Sequence, residues 1–463
     1  MKKLYFLAAI CVFFTFCGKL SAQETLKSKI GQMLMVGYLG TSMPDSNYSE
    51  TDTLKADIAE RNLGGVIEFA YNLKNPAQMK LLSGNLKALA KTPLFISTDQ
   101  EGGKVARLNG SNGFKASSTA YTIGTVYDKA DSTRLWASTM AGWLEQTGIN
   151  VDFAPDADVI VNAQNPVIAK LYRSFNKNPL KVAEHAAYFI EELHKKNIIS
   201  TLKHFPGHGS SSQDSHLGIT DITNTWADSE LVPFRELILS GQADIIMTGH
   251  LYNAKIDTLP ATLSRKTVQG ILRDQLGFNG VVISDELSMG AISNYYGLFE
   301  AAAMAVNAGI DILLYKSNLL SDSTSLVRKL EDYLEQKVLD GTIPMSRIDE
   351  SYARIMELKN KYFAPSGLGS LSASLRPEKF ELKGYPNPFN GMIKFQVKIP
   401  SSSASSLKIY DMLGRQVASI MDENKTSGTY YYSWNAPELS SGIYIAVLHS
   451  GAFTQASKIM LLK

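Results

Sequence analysis

Three of the chain's seven histidines lie within thirteen residues of one another. They are His204, His208 and His216, in the stretch "KHFPGHGSSSQDSH", which begins with Lys203 and also contains Asp214. A carboxylate beside an imidazole fixes the tautomer of the ring and lets it act as a general acid or base near neutral pH. Asp214 and His216 fit this chemistry, on a loop rich in Ser and Gly that would let the imidazole swing in after substrate binds.

A metal site and a structural role are the alternatives for the other two histidines. The H-x-x-x-H spacing of His204 and His208 would place both on one face of a helix. Pro206 and the glycines around His208 exclude a regular helix, and no Glu follows the first His. We therefore expect no metal and no other cofactor. Either ring could instead satisfy hydrogen bonds in the core or in the loop.

A second reactive group lies in "VVISDELSMG". Asp285 directly follows an apolar run that predicts a strand, and a carboxylate in that place can act as a nucleophile that forms a covalent intermediate. Its alternative is the N-cap of the following helix. Glu286 would point away from Asp285 in an extended backbone, so we do not interpret the two as a catalytic pair.

The elements that must position these groups alternate between short apolar runs and longer helical stretches. The eight candidate strands are "GQMLMVGY", "GGVIEFA", "PLFISTD", "INVDFAPDADV", "IISTLKHF", "DIIMTGH", "GVVISDE" and "GIDILLYKS". Near-continuous apolar strands separated by helices indicate a parallel sheet, and eight such units predict a (β/α)₈ barrel over residues 23–363. A doubly wound open sheet is the alternative. In a barrel, the polar residues after the strands would form one rim that holds an active site.

The ends of the chain differ from its centre. Residues 1–22 have a basic start, a short apolar run and small residues before Gln23, which is typical of a secretory signal; a lipoprotein signal at Cys17 is the alternative. Both cysteines lie in this segment, so the mature chain would form no disulfide. Residues 364–383 are rich in Gly, Ser and Pro and predict a linker. Short alternating strands over 384–463 predict a small β-sandwich.

Charge and hydropathy exclude some partners. The formal net charge is +2, from 46 basic and 44 acidic side chains, which gives no reason to expect nucleic acid as a partner. No apolar run after the signal reaches about 18 residues, so we expect no membrane span in the mature chain.

Four motifs in order, "DQEGGKVARL", "YRSF", "KHFPGHG…DSH" and "ISDELSMG", resemble family 3 glycoside hydrolases. The resemblance is to the single-domain β-N-acetylhexosaminidase branch and covers about residues 26–363. It implies a retaining mechanism in which Asp285 attacks the anomeric carbon, while His216, paired with Asp214, is the acid/base. It also implies a sugar-binding set, which consists of Asp99, Arg107, Arg173, Lys203 and His204. Salt bridges at the rim are the alternative role for the charged members of that set.

The motifs depart from the family pattern in four places. Lys104 stands where arginine is common, and "KLYRSF" lacks the usual short polar residue before its Arg. Glu286 stands where a second Asp is frequent, and no proline follows His216. None of these departures removes a catalytic group, so the expected reaction is unchanged. They leave open which aglycone the enzyme prefers.

The tail resembles the type A sorting domain of type IX secretion. The matching stretches are "YPNPFN", "LKIYDMLGRQVAS", "SSGIYIAVL" and "KIMLLK". The resemblance implies the type IX secretion machinery as a partner and a secreted or cell-surface location. A carbohydrate-binding module, with Trp434 and the tyrosines at 430–432 as a stacking surface, is the alternative.

Together these patterns predict a secreted, metal-independent exo-β-N-acetylglucosaminidase. Its glycan substrates would be β-GlcNAc-terminated peptidoglycan fragments or chitooligosaccharides. A β-glucosidase or β-xylosidase of the same family and a non-catalytic surface glycan-binding protein are the alternatives. Sugar binding alone needs no nucleophile, so the presence of Asp285, Asp214 and His216 together argues against the last.

Overall fold

The computed structural model describes residues 24–215, 217–363, 380–399, 403–425, 428–436, 438–451 and 453–463. The expected signal over 1–22, most of the expected linker over 364–383 and His216 lie outside the described residues. Two separate hydrophobic cores are present, one built from residues between Ile30 and Leu358 and the other from residues between Leu382 and Leu461. Each core defines a domain, and the two domains are described in turn.

Eight parallel strands form the first domain. They are β1 (Leu34–Val36), β2 (Gly65–Ile67), β3 (Phe95–Thr98), β4 (Val151–Asp152), β5 (Ile199–Phe205), β6 (Ile245–Thr248), β7 (Val281–Ser284) and β8 (Leu313–Tyr315). Their order in the sheet is β7-β6-β5-β4-β3-β2-β1-β8, and a bridge between Ile283 and Ile312 joins its two ends. All eight lie within the predicted runs. The predicted (β/α)₈ barrel is therefore confirmed, and the open sheet is excluded.

The helices between these strands cover the barrel. They are α1 (Leu26–Gln32), α2 (Glu50–Arg61), α3 (Pro76–Leu89), α4 (Ala130–Thr147), α5 (Pro179–His194), α6 (Val232–Leu239), α7 (Gly290–Ser293), α8 (Leu298–Ala308), α9 (Leu326–Leu339) and α10 (Met345–Phe363). A π-helical segment, Lys266–Gln275, precedes β7. Asn75 and Asn178 cap α3 and α5, each followed by a proline that needs no hydrogen-bond acceptor at the first helical position. No helix in the described part of the chain is both long and apolar enough to cross a bilayer.

A tight hairpin at the rim follows β3. Its two arms are Gln100–Gly102 and Val105–Ala106. Gly103 turns the hairpin with a φ of 57°, and a Cβ atom there would lie 2.5 Å from Cγ2 of Thr119, so only glycine fits. The Arg107 N–H donates to the Asp99 carbonyl at 3.3 Å. The hairpin thus fixes Asp99 and Arg107 side by side at its base.

The second domain is an antiparallel sandwich. Its strands are β9 (Glu381–Tyr385), β10 (Met392–Ile399), β11 (Ser403–Tyr410), β12 (Gln416–Lys425), β13 (Gly428–Asn435), β14 (Gly442–Ser450) and β15 (Phe453–Leu461). One sheet has the order β9-β10-β13 and the other β12-β11-β14-β15. Alternate residues of β10, from Ile393 to Ile399, face the common core. The predicted sandwich is confirmed, and β9 begins inside the stretch expected as a linker.

The aromatic residues of the sandwich do not form one stacking surface. Trp434 is buried, with its ring 6.0 Å from that of Phe389 and 6.3 Å from that of Tyr444. Tyr431 is exposed, whereas Tyr430 and Tyr432 pack against the core. Burial of the tryptophan removes the strongest feature of the carbohydrate-binding alternative.

Candidate active site

The residues expected to bind sugar include an ion-paired group at the ends of β3 and β5. Lys203 points into the barrel, and its ammonium lies 2.8 Å from Asp99 Oδ1 and 2.7 Å from Glu101 Oε1. Arg107 donates to the other Asp99 oxygen at 3.0 Å. Burial alone would raise the pKa of Asp99, but the charges of Lys203 and Arg107 outweigh it and hold that pKa below its ordinary value. Asp99 is therefore an anion, which suits an acceptor for sugar hydroxyl groups.

Arg173 lies beside this group and is held by a carboxylate that sequence reasoning did not single out. Its Nε and Nη2 donate to the two oxygens of Glu101, each at 2.8 Å, and its Nη1 donates to the Val167 carbonyl at 3.1 Å. Against the effect of burial, Arg173 and Lys203 lower the pKa of Glu101 to about 2. This fork-to-fork pair fixes the guanidinium plane. Glu101 follows Asp99 by two residues in "DQEGG", which is the sequence signal that could have identified it.

His204 is oriented by Asp158. Its Nδ1 lies 2.7 Å from Asp158 Oδ2, and its Nε2 lies 3.3 Å from Arg173 Nη2. A guanidinium only donates, so Nε2 accepts and Nδ1 carries the proton. Against burial, the histidine lowers the pKa of Asp158 to about 2. Asp158 lies in the polar stretch after β4, which the sequence placed on the rim without giving this residue a role.

A second carboxylate of that stretch, Asp156, lies in the same group. Its Oδ1 accepts the Asp158 N–H at 2.8 Å, while its Oδ2 has no hydrogen-bond partner and lies 3.5 Å from Arg173 Nε. Burial, with a further contribution from the charge of Asp158, raises the pKa of Asp156 well above its ordinary value. Burial therefore disfavours a negative charge on Asp156, although its Oδ2 lies beside Arg173.

Asp156, Asp158 and His204 have potential metal-ligand atoms within 4.8 Å of one another. The Arg173 guanidinium already lies next to two of the three, at the distances given above. A divalent cation among these atoms would sit against that fixed positive charge. The geometry therefore fits an arginine-centred ion-pair network better than a metal site.

His208 holds the loop that follows β5. Its Nδ1 lies 2.7 Å from Ser211 Oγ, its Nε2 lies 3.3 Å from Ser215 Oγ, and its carbonyl accepts from Asn165 at 2.7 Å. Burial lowers the pKa of His208 to about 4. The ring is therefore neutral at the pH at which an acid/base would operate. These contacts are those of a residue that fixes the loop.

The loop after β5 reaches the segment that follows Asp285. The carbonyl of Ser215 accepts the N–H of Ala291, the second residue of α7, at 3.3 Å. Asp214 precedes this anchor and is partly exposed. His216, the expected acid/base, directly follows the anchor but lies outside the described residues. The described backbone therefore brings the segment around His216 to the segment around Asp285.

Asp285 directly follows β7 and is partly exposed at the rim. Its N–H donates to the Thr248 carbonyl at 3.0 Å, and its Oδ1 accepts the Glu286 N–H at 2.8 Å. The Glu286 carboxylate turns away and accepts the N–H groups of Ser288 at 2.8 Å and Lys316 at 3.2 Å. Glu286 therefore shapes the turn, and Asp285 alone remains as the candidate nucleophile of this motif.

His250, two residues after the end of β6, supports the same turn. Its Nε2 donates to the Glu286 carbonyl at 2.9 Å, and its Nδ1 lies 2.8 Å from the Thr262 hydroxyl. The ring is buried between β6 and the segment after β7. It fixes the backbone immediately after Asp285, a role that no sequence spacing signals.

The sequence of the barrel domain matches a known protein family. The model of the glycosyl hydrolase family 3 N-terminal domain matches residues 25–358, which is well over half of the chain. The chain belongs to glycosyl hydrolase family 3. This confirms the resemblance carried by the four motifs.

Relatives of this family 3 chain include named hexosaminidases. Beta-hexosaminidase A of Pseudoalteromonas piscicida is 32% identical over 73% of this chain and 61% of the relative. The beta-hexosaminidase of Tolumonas auensis is 37% identical over 60% of this chain and 84% of the relative. A solved family 3 beta-N-acetylglucosaminidase from a Paenibacillus species superposes with a TM-score of 0.67 at 36% identity, over 73% of this chain and 63% of that one. The chain thus spans less than two thirds of the first and third of these proteins.

The tail of this family 3 chain also matches a known module. Residues 383–462 match the secretion system C-terminal sorting domain. The resemblance of the tail to a type IX sorting domain is therefore confirmed, and such a domain indicates a secreted or cell-surface protein.

Proposed function

We propose that the chain is a retaining exo-β-N-acetylglucosaminidase that removes terminal β-GlcNAc from peptidoglycan fragments or chitooligosaccharides. The observation that carries the proposal is the presence of a partly exposed carboxylate, Asp285, on the same barrel rim as the cluster around Arg173 and Lys203. The names of its relatives, which describe hexosaminidases and a β-N-acetylglucosaminidase, support the choice of sugar.

The buried charges would bind the terminal sugar. Asp99 offers acceptor oxygens, while Lys203, Arg107 and Arg173 offer donors with fixed directions. Because the barrel shields these side chains from water, each hydrogen bond from them to a sugar hydroxyl group is stronger than it would be in water. A sugar that leaves one of these side chains unpaired would bind more weakly. His204 would face the same sugar with its Nε2. A site of this kind selects one sugar by the pattern of its hydroxyl and amide groups.

Hydrolysis would proceed in two steps. The Asp285 carboxylate attacks the anomeric carbon and forms a glycosyl ester, while His216, held by Asp214, gives its proton to the departing oxygen. The neutral imidazole then takes a proton from water, which attacks the same carbon and releases Asp285. The bond between Ser215 and Ala291 supports this assignment, because it ties the backbone beside His216 to the segment after Asp285.

A histidine differs from the second carboxylate that most glycosidases use as acid/base. The ring is a cation when it acts as the acid and neutral when it acts as the base, so in neither form does it repel the Asp285 carboxylate. An imidazole ordinarily titrates near neutral pH, so Asp214 is needed to fix the tautomer of the ring and not to bring its pKa into range. Two inversions at one carbon give net retention of configuration.

Export would follow from the two ends of the chain. Residues 1–22 would direct the chain to the secretory pathway, and residues 384–463 would engage the type IX secretion machinery. Residues 23–363 would then act as the catalytic domain outside the cell, joined by the linker 364–383.

The test uses the purified protein and aryl glycosides of β-GlcNAc, β-glucose and β-xylose. We expect turnover of the β-GlcNAc glycoside in preference to the other two, with the β anomer of GlcNAc as the first product in a proton NMR time course. An α anomer as first product, or preference for the glucoside or xyloside, would overturn the proposal. Binding of GlcNAc oligosaccharides without turnover would favour a glycan-binding protein.

The natural substrate is tested separately. Release of GlcNAc from purified muropeptides is measured beside release from chitobiose at equal concentration, with chromatographic detection of the free sugar. We expect turnover of at least one of them, and the ratio of the two rates identifies the preferred polymer.

A further inference from the structure

The end of β6 touches both halves of the candidate active site. Its last residue and the two that follow it, Thr248, Gly249 and His250, are buried, and we call these three residues the β6 corner. On one side the corner contacts the backbone at Asp285, and on the other it contacts the strand that carries His204. No step of the proposed hydrolysis uses any of the three residues, so their contacts have another role.

The backbone around Asp285 is tied to the β6 corner at two points. The Asp285 N–H donates to the Thr248 carbonyl at 3.0 Å, and His250 Nε2 donates to the Glu286 carbonyl at 2.9 Å. Between these two points, the Glu286 N–H donates to Asp285 Oδ1 at 2.8 Å. The corner therefore fixes the backbone on either side of the proposed nucleophile, and that backbone in turn holds one of its carboxylate oxygens.

The ring of His250 is itself held by a chain of buried hydroxyl groups. A carbonyl only accepts, so Nε2 carries a proton, and in the neutral ring Nδ1 accepts from the Thr262 hydroxyl, 2.8 Å away. Thr262 in turn accepts from the Thr248 hydroxyl at 3.0 Å. All three side chains are at most 1% exposed, so bulk water does not compete for these bonds. The chain thus fixes one tautomer and one orientation of the ring.

The middle residue of the β6 corner packs against the sugar-binding side. The Gly249 N–H donates to the carbonyl of Phe205, the residue after His204, at 2.8 Å. A Cβ atom at Gly249 would lie 3.1 Å from His204 Cβ and 3.2 Å from Cγ of Leu251, so a side chain there would press on His204. The separation between His204 and Asp285 is therefore set across three consecutive residues.

We propose that the β6 corner sets the position of Asp285 relative to the bound sugar, with His250 and Thr262 as positioning residues for the nucleophile. The inference rests on the proposed glycosidase function and adds that the rate of ester formation depends on these buried side chains. A displacement of about 1 Å between reacting groups can lower a rate by about 10²-fold. Loss of the bond from His250 to the Glu286 carbonyl would allow such a displacement.

The experiment measures how fast Asp285 forms its ester. The full-length protein is treated with a fluorinated GlcNAc fluoride, and the loss of activity on an aryl β-GlcNAc is followed over time at several reagent concentrations. The limiting rate constant of inactivation reports ester formation, and the concentration that gives half of it reports sugar binding. Because fluoride departs with little help from an acid, the limiting rate constant reports the position of Asp285 and not proton transfer by His216.

Two pairs of variants test the positioning role. In His250→Asn the shorter side chain loses the donor at the position of Nε2, so the limiting rate constant should fall by about 10²-fold. His250→Gln, whose amide nitrogen can reach the Glu286 carbonyl, should restore most of that rate. Thr262→Val removes the hydroxyl group that holds the ring and should lower the rate by about tenfold, whereas Thr262→Ser should restore it. In all four variants the half-saturating concentration should stay within about twofold of wild type.

Gly249→Ala tests the sugar-binding side of the β6 corner. Its Cβ would displace His204, so the half-saturating concentration should rise by about tenfold, with a smaller change in the limiting rate constant. Opposite responses in Gly249→Ala and His250→Asn would show that the corner acts separately on sugar binding and on ester formation. A fall in the limiting rate constant with no change in the half-saturating concentration of Gly249→Ala would contradict this division.

His185→Asn is the matched control for a buried histidine. His185 is also 1% exposed and is bonded at both ring nitrogens, with Nδ1 2.7 Å from the Thr133 hydroxyl and Nε2 3.0 Å from Asp128 Oδ1. It lies on α5, outside the candidate site. The control should have a lower melting temperature than wild type, whereas its folded fraction should keep both inactivation constants at the wild-type values.

The outcomes separate the positioning role from the function on which it rests. A wild-type protein that the reagent neither labels nor inactivates contradicts the glycosidase itself. Inactivation of the wild type together with wild-type limiting rate constants in His250→Asn and Thr262→Val overturns the positioning role alone. Equal falls in the Asn and Gln variants of His250 overturn it as well, because the loss would then not follow the donor. If His250→Asn does not fold, the Thr262 pair decides.

Discussion

Each end of the barrel buries a cluster of charges, and the two clusters differ in how fully they are paired. At the end opposite the rim, Asp311 accepts from Arg273 at 2.6 Å, from Arg354 at 3.2 Å and from Arg347, and it also accepts the Val282 N–H at 2.9 Å. Both of its oxygens are satisfied, and the carboxylate has no exposed surface. This cluster is complete without a ligand.

The rim cluster is incomplete. Asp156 keeps one oxygen without a partner, and Asp99 and Arg107 remain 17% and 28% exposed although they are paired with each other. Unpaired buried groups cost stability, and proteins retain them mostly where function needs them. The comparison teaches that buried charge by itself does not indicate a site. The informative feature is a buried cluster with donors and acceptors left over on the side that faces solvent.

The largest effect should come from the nucleophile at the rim. Asp285→Asn keeps the size of the side chain but removes the attacking charge, so kcat/KM on an aryl β-GlcNAc should fall by about 10⁵-fold. The free energy of unfolding should change by less than about 1 kcal/mol because the side chain is partly exposed. Asp131→Asn, at an exposed position on α4, is the matched control. Normal turnover by Asp285→Asn would show that the mechanism is misassigned.

A substitution in the fully paired Asp311 cluster should lower the stability of the protein and leave its activity unchanged. Asp311→Asn leaves three buried or partly buried arginines without their carboxylate, so the free energy of unfolding should fall by about 3–5 kcal/mol. The folded fraction should retain the wild-type kcat/KM. Urea unfolding with parallel kinetics measures both. Asp349→Asn, which removes the partly exposed ion pair between Asp349 on α10 and Lys29 on α1, should cost less than about 1 kcal/mol. An equal loss of unfolding free energy in Asp311→Asn and Asp349→Asn would contradict the stabilising role of the Asp311 cluster.

A substitution in the rim cluster around Arg173 should instead lower activity more than stability. Arg173→Lys keeps the charge but loses the two parallel bonds to Glu101, so kcat/KM should fall by about 10²-fold. Arg354→Lys at the other end makes the same chemical change and should leave kcat/KM within about twofold of wild type. A similar loss of kcat/KM in both variants would mean that the rim charges act through stability alone.

The smallest expected effect is a change in the free energy of unfolding with pH. Glu230 packs against the loop after β5 and accepts the Ser210 N–H at 3.1 Å, and burial raises its pKa to about 7. The folded state therefore keeps a proton that the unfolded chain loses near pH 4.5. The stabilisation is complete below that pH and is lost as pH rises to about 7. Glu230→Gln should remove this loss.

Asp244, at the end of the barrel opposite the rim, has a pKa shifted in the opposite direction to that of Glu230. Against burial, His194 and Lys361 lower its pKa, so its contribution is present above its ordinary pKa and is lost only in acid. Urea unfolding of wild type, Glu230→Gln and Asp244→Asn from pH 4 to pH 8 distinguishes the two. A wild-type pH profile in Glu230→Gln would contradict the assigned pKa.

The sequence predicted the fold well because the barrel strands are almost entirely buried. Most of the eight are short runs of largely apolar residues that no helix pattern interrupts. Strand β12 has little of the alternating pattern, because it lies at the edge of its sheet and its residues, such as Gln416 and Glu423, are largely polar and exposed. Strand β9 was missed because it lies next to the Gly- and Ser-rich segment, whose composition suggested a linker.

The sequence indicated which residues lie at the rim but not how they pair. Position after a strand placed Asp99 and Asp285 there, since parallel strands end at one rim, whereas the resemblance to the family indicated Lys203. Which carboxylate pairs with which base depends on contacts between residues far apart in sequence, such as Lys203 with Asp99, which are 104 residues apart. Glu101, Asp156 and Asp158 were therefore left without roles. The position of His250 under the Asp285 turn depends equally on three-dimensional packing.

The most direct test of the account is to trap the covalent intermediate. The full-length protein is incubated with a fluorinated GlcNAc fluoride that forms the glycosyl ester quickly and releases it slowly, and its peptides are then mapped by mass spectrometry. The account predicts one equivalent of sugar on the peptide that contains Asp285 and none in Asp285→Asn. A label on another peptide, or rapid turnover with no labelled peptide, would contradict it.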